Sequence, residues 1–139
     1  MRILHVNAAY PPFLGGAEVY TQAISERLVR DGHAVTLVTT NAAEVEYFWN
    51  PRKRHVSPGR EQLNGVQVIR CQVGHLPFSP WSFYLLRRVM TIIARWPVNV
   101  LPLLRRLASF MPSVPEIQPT LAALPGHFDL VHGVNIALE

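Results

Sequence analysis

Residues 2–41, RILHVNAAYPPFLGGAEVYTQAISERLVRDGHAVTLVTTN, change their periodicity twice. RILHVN is a short apolar run of the kind that fills a buried parallel strand. Two prolines and a glycine pair follow. From Ala17 the apolar residues Tyr20, Ala23, Ile24 and Leu28 recur at intervals of three and four, which predicts one apolar helix face. The ends agree with a helix: Glu18 lies in the first turn, Arg27 and Arg30 near the last, and Gly32 terminates. HAVTLVTTN is then a second, β-branched strand. Strand, glycine loop, helix and strand make one βαβ unit, whose crossover is right-handed.

Outward from this unit the pattern continues. Residues 42–65 predict a long excursion that carries turn formers and much of the surface charge, and loops of that length are usually functional or mobile. GVQVIRCQV predicts a third strand, EIQPTLAAL a last helix and HFDLVHGV a fourth strand. Residues 81–110 have a helical pattern broken at Pro97 and Pro102. The expected fold is α/β, a Rossmann-like parallel sheet with helices on both faces. The chain stops where a following helix is expected, so residues 1–139 read as one truncated domain.

An apolar fraction of 49% against 16% charged residues fits a globular domain and excludes a disordered chain. Twelve of the thirteen basic residues are arginines, suited to phosphate and carboxylate partners by their fixed fork of donors. The cluster Arg52, Lys53, Arg54 and Arg60 is short and lies in a Pro/Gly-bearing loop, which is not a nucleic-acid footprint, and no nucleic-acid partner is expected. The single cysteine, Cys71, permits no internal disulfide and reads as a buried, inert thiol. MRILHVNAAY lacks the features of a signal peptide, so a cytoplasmic location is expected, with the inner membrane face as an extension of it.

The loop from Asn7 to Gly16 lies at the carboxyl edge of the sheet, where open α/β folds hold ligands, and it feeds a helix N-terminus suited to phosphate. Pro11 and Pro12 stiffen it, and Gly15 and Gly16 remove side chains that would keep a ligand away. A plain turn requiring glycine is the competing reading. Neither G-x-x-x-x-G-K-[ST] nor G-x-G-x-x-G is present, and the second strand ends VTTN without the acid that grips a ribose, which argues against a nicotinamide or flavin dehydrogenase.

MRILHVNAAYPPFLGGAEVYTQAISERLVRDGHAVTLVTT strongly resembles the opening of the family 4 glycosyltransferases, retaining enzymes of the GT-B fold. Those enzymes commonly begin with a strand, a YPP…GG.E loop, a long helix and a GH.V.V.T strand. The likeness returns at GVQVIR and at FDLVHG, similar to the family's D.VH.H strand. It implies that this chain is the N-terminal, acceptor-side half of a GT-B fold. A C-terminal domain with a Glu-x7-Glu pair would bind most of the nucleotide-sugar, which is a substrate, so no cofactor and no metal are implied. The resemblance puts Gly15 and Gly16 near the donor diphosphate and sugar, and makes Tyr10, Phe13, Glu18, His132 and Asn135 candidates on the acceptor or sugar side. Val134 stands where the family has its second histidine. Helix-end electrostatics is the simpler role for Glu18, a strand-end hydrogen bond for His132 and helix capping for Asn135. The implied partners are a nucleoside diphosphate sugar and a hydroxyl acceptor. The rival readings are a nucleotide-sugar epimerase of the same fold and a non-catalytic Rossmann-like module for a phosphorylated ligand or a membrane surface.

Residues 81–110 carry Arg87, Arg88, Arg95, Arg105 and Arg106 and no acid, interleaved with aromatic and aliphatic residues. The arginines break every apolar run short of a membrane span. Either this segment is an interfacial amphipathic one in peripheral contact with anionic lipid, or it packs on the sheet with its arginines in water.

Overall fold

In the computed structural model, which describes residues 1–110 and 113–134, the strand residues alternate between two differently covered faces. β1 (Arg2–Asn7), β2 (Ala34–Thr40), β4 (Val66–Cys71) and β5 (Leu130–Val134) run parallel, and β3 (Gly59–Leu63) joins β4 antiparallel at one edge. The sheet order is β3-β4-β2-β1-β5. The chain thus lays down strands in one direction from β1 and then returns to add β5 on its other side. That reversal makes the β1/β5 boundary the topological switch point, where a crevice opens outside the carboxyl ends of the strands.

On one face, Ile3, Val35, Leu37, Val66 and Val68 form a core with Tyr10, against which Leu28 and Val29 of α1 (Gly16–Arg30) pack. On the other, Leu4, Val38, Ile69 and Cys71 are covered by Val114, Ile117, Leu121, Leu124 and Phe128, which belong to or flank α4 (Ile117–Ala122). The expected α/β sheet with helices on both faces is therefore what the chain forms. Burial pushes the Cys71 thiol up, away from the reactive thiolate.

Three expectations are corrected. First, of the face Tyr20, Ala23, Ile24 and Leu28, only Leu28 packs on the core. Tyr20 and Ala23 are exposed, while Glu18, Thr21 and Ser25 are its buried residues. The strand beneath ends in His5 and Asn7, so the helix meets it with hydroxyl groups rather than methyls.

Second, residues 42–65 are not one long loop. A 3-10 turn at Val45–Phe48 buries Tyr47 and Phe48 with Ala42 and Val73 in a third cluster, and β3 follows. Asn64 and Gly65, both at positive φ (50° and 85°), form the two-residue hairpin that returns β3 into β4. Gly65 has a second constraint, since a Cβ there would lie 2.6 Å from Cγ1 of Val29.

Third, residues 81–110 do not cover the sheet, because α4 already does. They form α2 (Trp81–Ile93) and α3 (Leu101–Ala108), which pack on each other and bury no residue fully. Pro97 lies between them as expected. Pro102, however, sits in the first turn of α3, where its missing N–H costs nothing, so it begins that helix rather than breaking it. Stacking of Phe83 on Trp49, with centroids 5.8 Å apart, links α2 to the 3-10 turn region.

Candidate functional site

The switch point is furnished by the loop between β1 and α1 and by the ends of β1 and β5. Gly15, in extended conformation, is the N-cap of α1, and no side chain among the described residues caps the helix. Its first-turn amides therefore lack a side-chain acceptor and can face an anion. The two glycines differ in what they leave free. A Cβ on Gly15 would run into the carboxylate of Glu18 and approach the Phe13 ring, whereas a Cβ on Gly16 would meet nothing within 4 Å. Gly15 thus makes room for Glu18, which is only 5% exposed and folds back over the helix start. Gly16 is the position that leaves the mouth open.

Arg70, on β4, anchors this loop. Its guanidinium is buried, donates to the carbonyls of Tyr10 and Pro11, and pairs with Glu61 of β3 at 2.6 Å. A fork of donors suits this task, because it reaches two loop carbonyls and one carboxylate at once. Sequence reasoning missed Arg70. The signal was its place in the alternation Val66, Val68, Arg70, which puts a charge on the core face with Glu61 available one strand away.

Beneath the first turns of α1 lies a layer of hydrogen-bonded polar groups. Ser25 Oγ donates to the Thr21 carbonyl at 2.7 Å, so its proton is committed, and at 2.8 Å it accepts from His5 Nδ1. This fixes His5 in its Nδ1–H tautomer. Thr21 Oγ1 donates to Ala17 O at 2.8 Å and accepts from Asn7 Nδ2 at 3.1 Å. Asn7 Oδ1 is buried without a partner among the described residues. His5 is held below its ordinary value of 6.5, first by burial and then by the proximity of His132.

His5 and His132 are register partners across β1 and β5, and their rings meet edge to face at 5.2 Å. Asn7 pairs in the same register with Val134 at the switch point.

The remaining sequence-derived candidates separate. Gly15, Gly16, Phe13 and Glu18 come together at the loop–helix junction, whereas His132 lies in the middle of β5, two residues before its end, and not at the strand end expected for it. Tyr10 is fully buried in the core under α1 and presents no surface to a ligand. Its hydroxyl is buried and makes no hydrogen bond among the described residues. Burial above all, with Glu26 second, pushes it up to about 12. Asn135 lies outside the described residues. Arg87, Arg88, Arg95, Arg105 and Arg106 lie on the α2–α3 hairpin, where they are exposed. No helix among the described residues is long and apolar enough to cross a membrane.

Comparison with known proteins gives this geometry a family. Residues 15–137 match the glycosyl transferase 4-like domain. An uncharacterized glycosyltransferase of Methanocaldococcus jannaschii is 31% identical over 87 residues, covering 61% of this chain and 19% of that protein. An uncharacterized 42.6 kDa protein in the cps region of Klebsiella pneumoniae is 29% identical over 140 residues, covering 99% of this chain and 31% of the relative. The chain thus spans about a third or less of the length of the curated relatives it matches. No solved structure gives a significant match. A match over nearly the whole chain, on a parallel sheet whose glycine loop opens at the switch point, leaves one assignment: the chain belongs to the glycosyl transferase 4-like domain family.

Proposed function

We propose that this chain is the N-terminal, acceptor-side half of a GT-B-type retaining glycosyltransferase, which moves a sugar from a nucleoside diphosphate donor to a hydroxyl acceptor. The observation that carries the reading is the open backbone at Gly16, beside the uncapped start of α1, at the topological switch point. Glycosyl transfer builds positive charge on the sugar ring and negative charge on the departing diphosphate. Backbone N–H groups fixed before the reaction stabilise that developing charge without reorganising, and this is a role that needs no metal. Arg70 holds the loop that presents them. His132 and Phe13 line the acceptor side, while Glu18 braces the helix start through its contact with Gly15.

In this reading most of the donor pocket belongs to a second domain, so residues 1–139 alone do not turn over. The test uses the full-length natural protein with a panel of nucleoside diphosphate sugars, with and without hydroxyl acceptors. The expected result is nucleoside diphosphate release that acceptor accelerates, together with a glycoside product. Acceptor-independent conversion to a free sugar or an altered sugar nucleotide would instead support an epimerase. Binding of a phosphorylated ligand with no turnover would support a binding module.

A further inference from the structure

The α2–α3 hairpin has a face that neither the sheet nor the proposed reaction uses. At helical spacing, Trp81, Leu85, Arg88, Val89 and Ile92 fall on one side of α2. That side faces outward: the exposure of its apolar members runs from 38% at Val89 to 79% at Trp81. The opposite side holds Phe83 and Met90, which with Leu104 of α3 line a shallow groove of about 440 Å³ between the helices. The helix is therefore apolar on both sides, with Phe83, Leu86, Met90 and Ile93 half-buried and a second stripe of large apolar side chains left in water. Trp96, Val98, Leu101 and Phe110 extend the exposed apolar surface through the turn and along α3.

Charge says what covers it. No acidic residue occurs between Glu61 and Glu116, while Arg88 lies on the outward stripe, Arg95, Arg105 and Arg106 are exposed elsewhere on the hairpin, and Arg87 lines the groove. We propose that this face docks on an anionic lipid bilayer, with α2 lying in the interfacial plane. The 13-residue helix is too short to span the hydrocarbon, yet at about 20 Å it is long enough to lie along the headgroup boundary. Trp81 and Trp96, at either end of the stripe, suit that boundary because the indole has an apolar body and a polar N–H. The arginines extend their stems along apolar surface and leave the guanidinium groups with the phosphates.

The test is co-sedimentation of the full chain with phosphatidylcholine vesicles and with vesicles of phosphatidylcholine and phosphatidylglycerol, at low and high salt. The expected result is binding to the mixed vesicles only, weakened by salt and accompanied by a blue shift of tryptophan emission. The R88Q/R95Q variant is expected to weaken the partition by about thirty-fold, the effect of removing two charges near an anionic surface. L85Q/I92Q is expected to abolish it. These positions are exposed, so an unchanged circular dichroism spectrum is expected for both variants and separates loss of docking from loss of fold. Absence of sedimentation by the wild type, equal binding to both lipids, or binding unaffected by both variants would overturn the proposal. A dimer disrupted by L85Q/I92Q without vesicle binding would also overturn it, assigning the face to a second copy.

Discussion

His5 is buried on β1, donates through Nδ1 to Ser25 and has His132 at its edge. Both burial and the neighbouring histidine act against its protonation, with burial the larger cause. The folded protein therefore binds fewer protons than the unfolded chain in the window just below 6.5. Stability rises with pH wherever the unfolded state holds more protons. The contribution of His5 is thus complete above 6.5 and is lost as the pH falls from there toward the lowered folded value. Urea unfolding at about pH 7 and about pH 5 is expected to show a lower midpoint at the acidic pH. The His5→Gln variant is expected to show a smaller drop between the same two conditions, and an equal drop would remove His5 as its source. The sequence hid the partners of His5. Thr21 and Ser25 interrupt the apolar pattern of α1, and a periodicity argument discounts them as solvent-facing.

Among the elements, β4 holds the site together through Arg70. Its guanidinium spans β3, β4 and the β1–α1 loop, by way of Glu61, Tyr10 and Pro11. Arg70→Met leaves two loop carbonyls short of a donor and removes a charge-assisted pair. Glu61 is half exposed and regains water, which limits the loss to about 2–3 kcal/mol in urea unfolding. Arg70→Lys, with a single ammonium in place of the fork, is expected to recover only part of it. A stability unchanged by Arg70→Met would show that the loop holds its shape without this anchor. β3 itself was legible in principle. Asn64-Gly65 is the strongest short hairpin signal a sequence carries, but the surrounding charge and the prolines at 51 and 58 made the region read as loop. The α2–α3 segment was harder, because a helical apolar pattern does not say which face of the molecule is left to cover.

At the scale of the molecule, the alternation of strands and helices carried the fold. Short apolar runs, the first and third of them followed by helical patterns, leave a parallel sheet as the economical solution. Sequence alone did not order the strands. The reversal between β1 and β5 depends on where the last strand docks, and only that reversal puts the glycine loop at a switch point, where open α/β folds hold ligands. The family match through residues 15–137 agrees with this layout. The central claim of the account is that the open backbone at Gly16 faces the donor diphosphate, and Gly16→Ala in the full-length protein tests it most directly. A methyl group there meets nothing within 4 Å among the described residues, so the melting temperature is expected to hold or rise slightly. For the nucleotide-sugar, kcat/KM is expected to fall by about tenfold or more, as when a bound group is displaced from its reactive position. An unchanged kcat/KM in a variant that remains folded would contradict the claim and place the donor elsewhere.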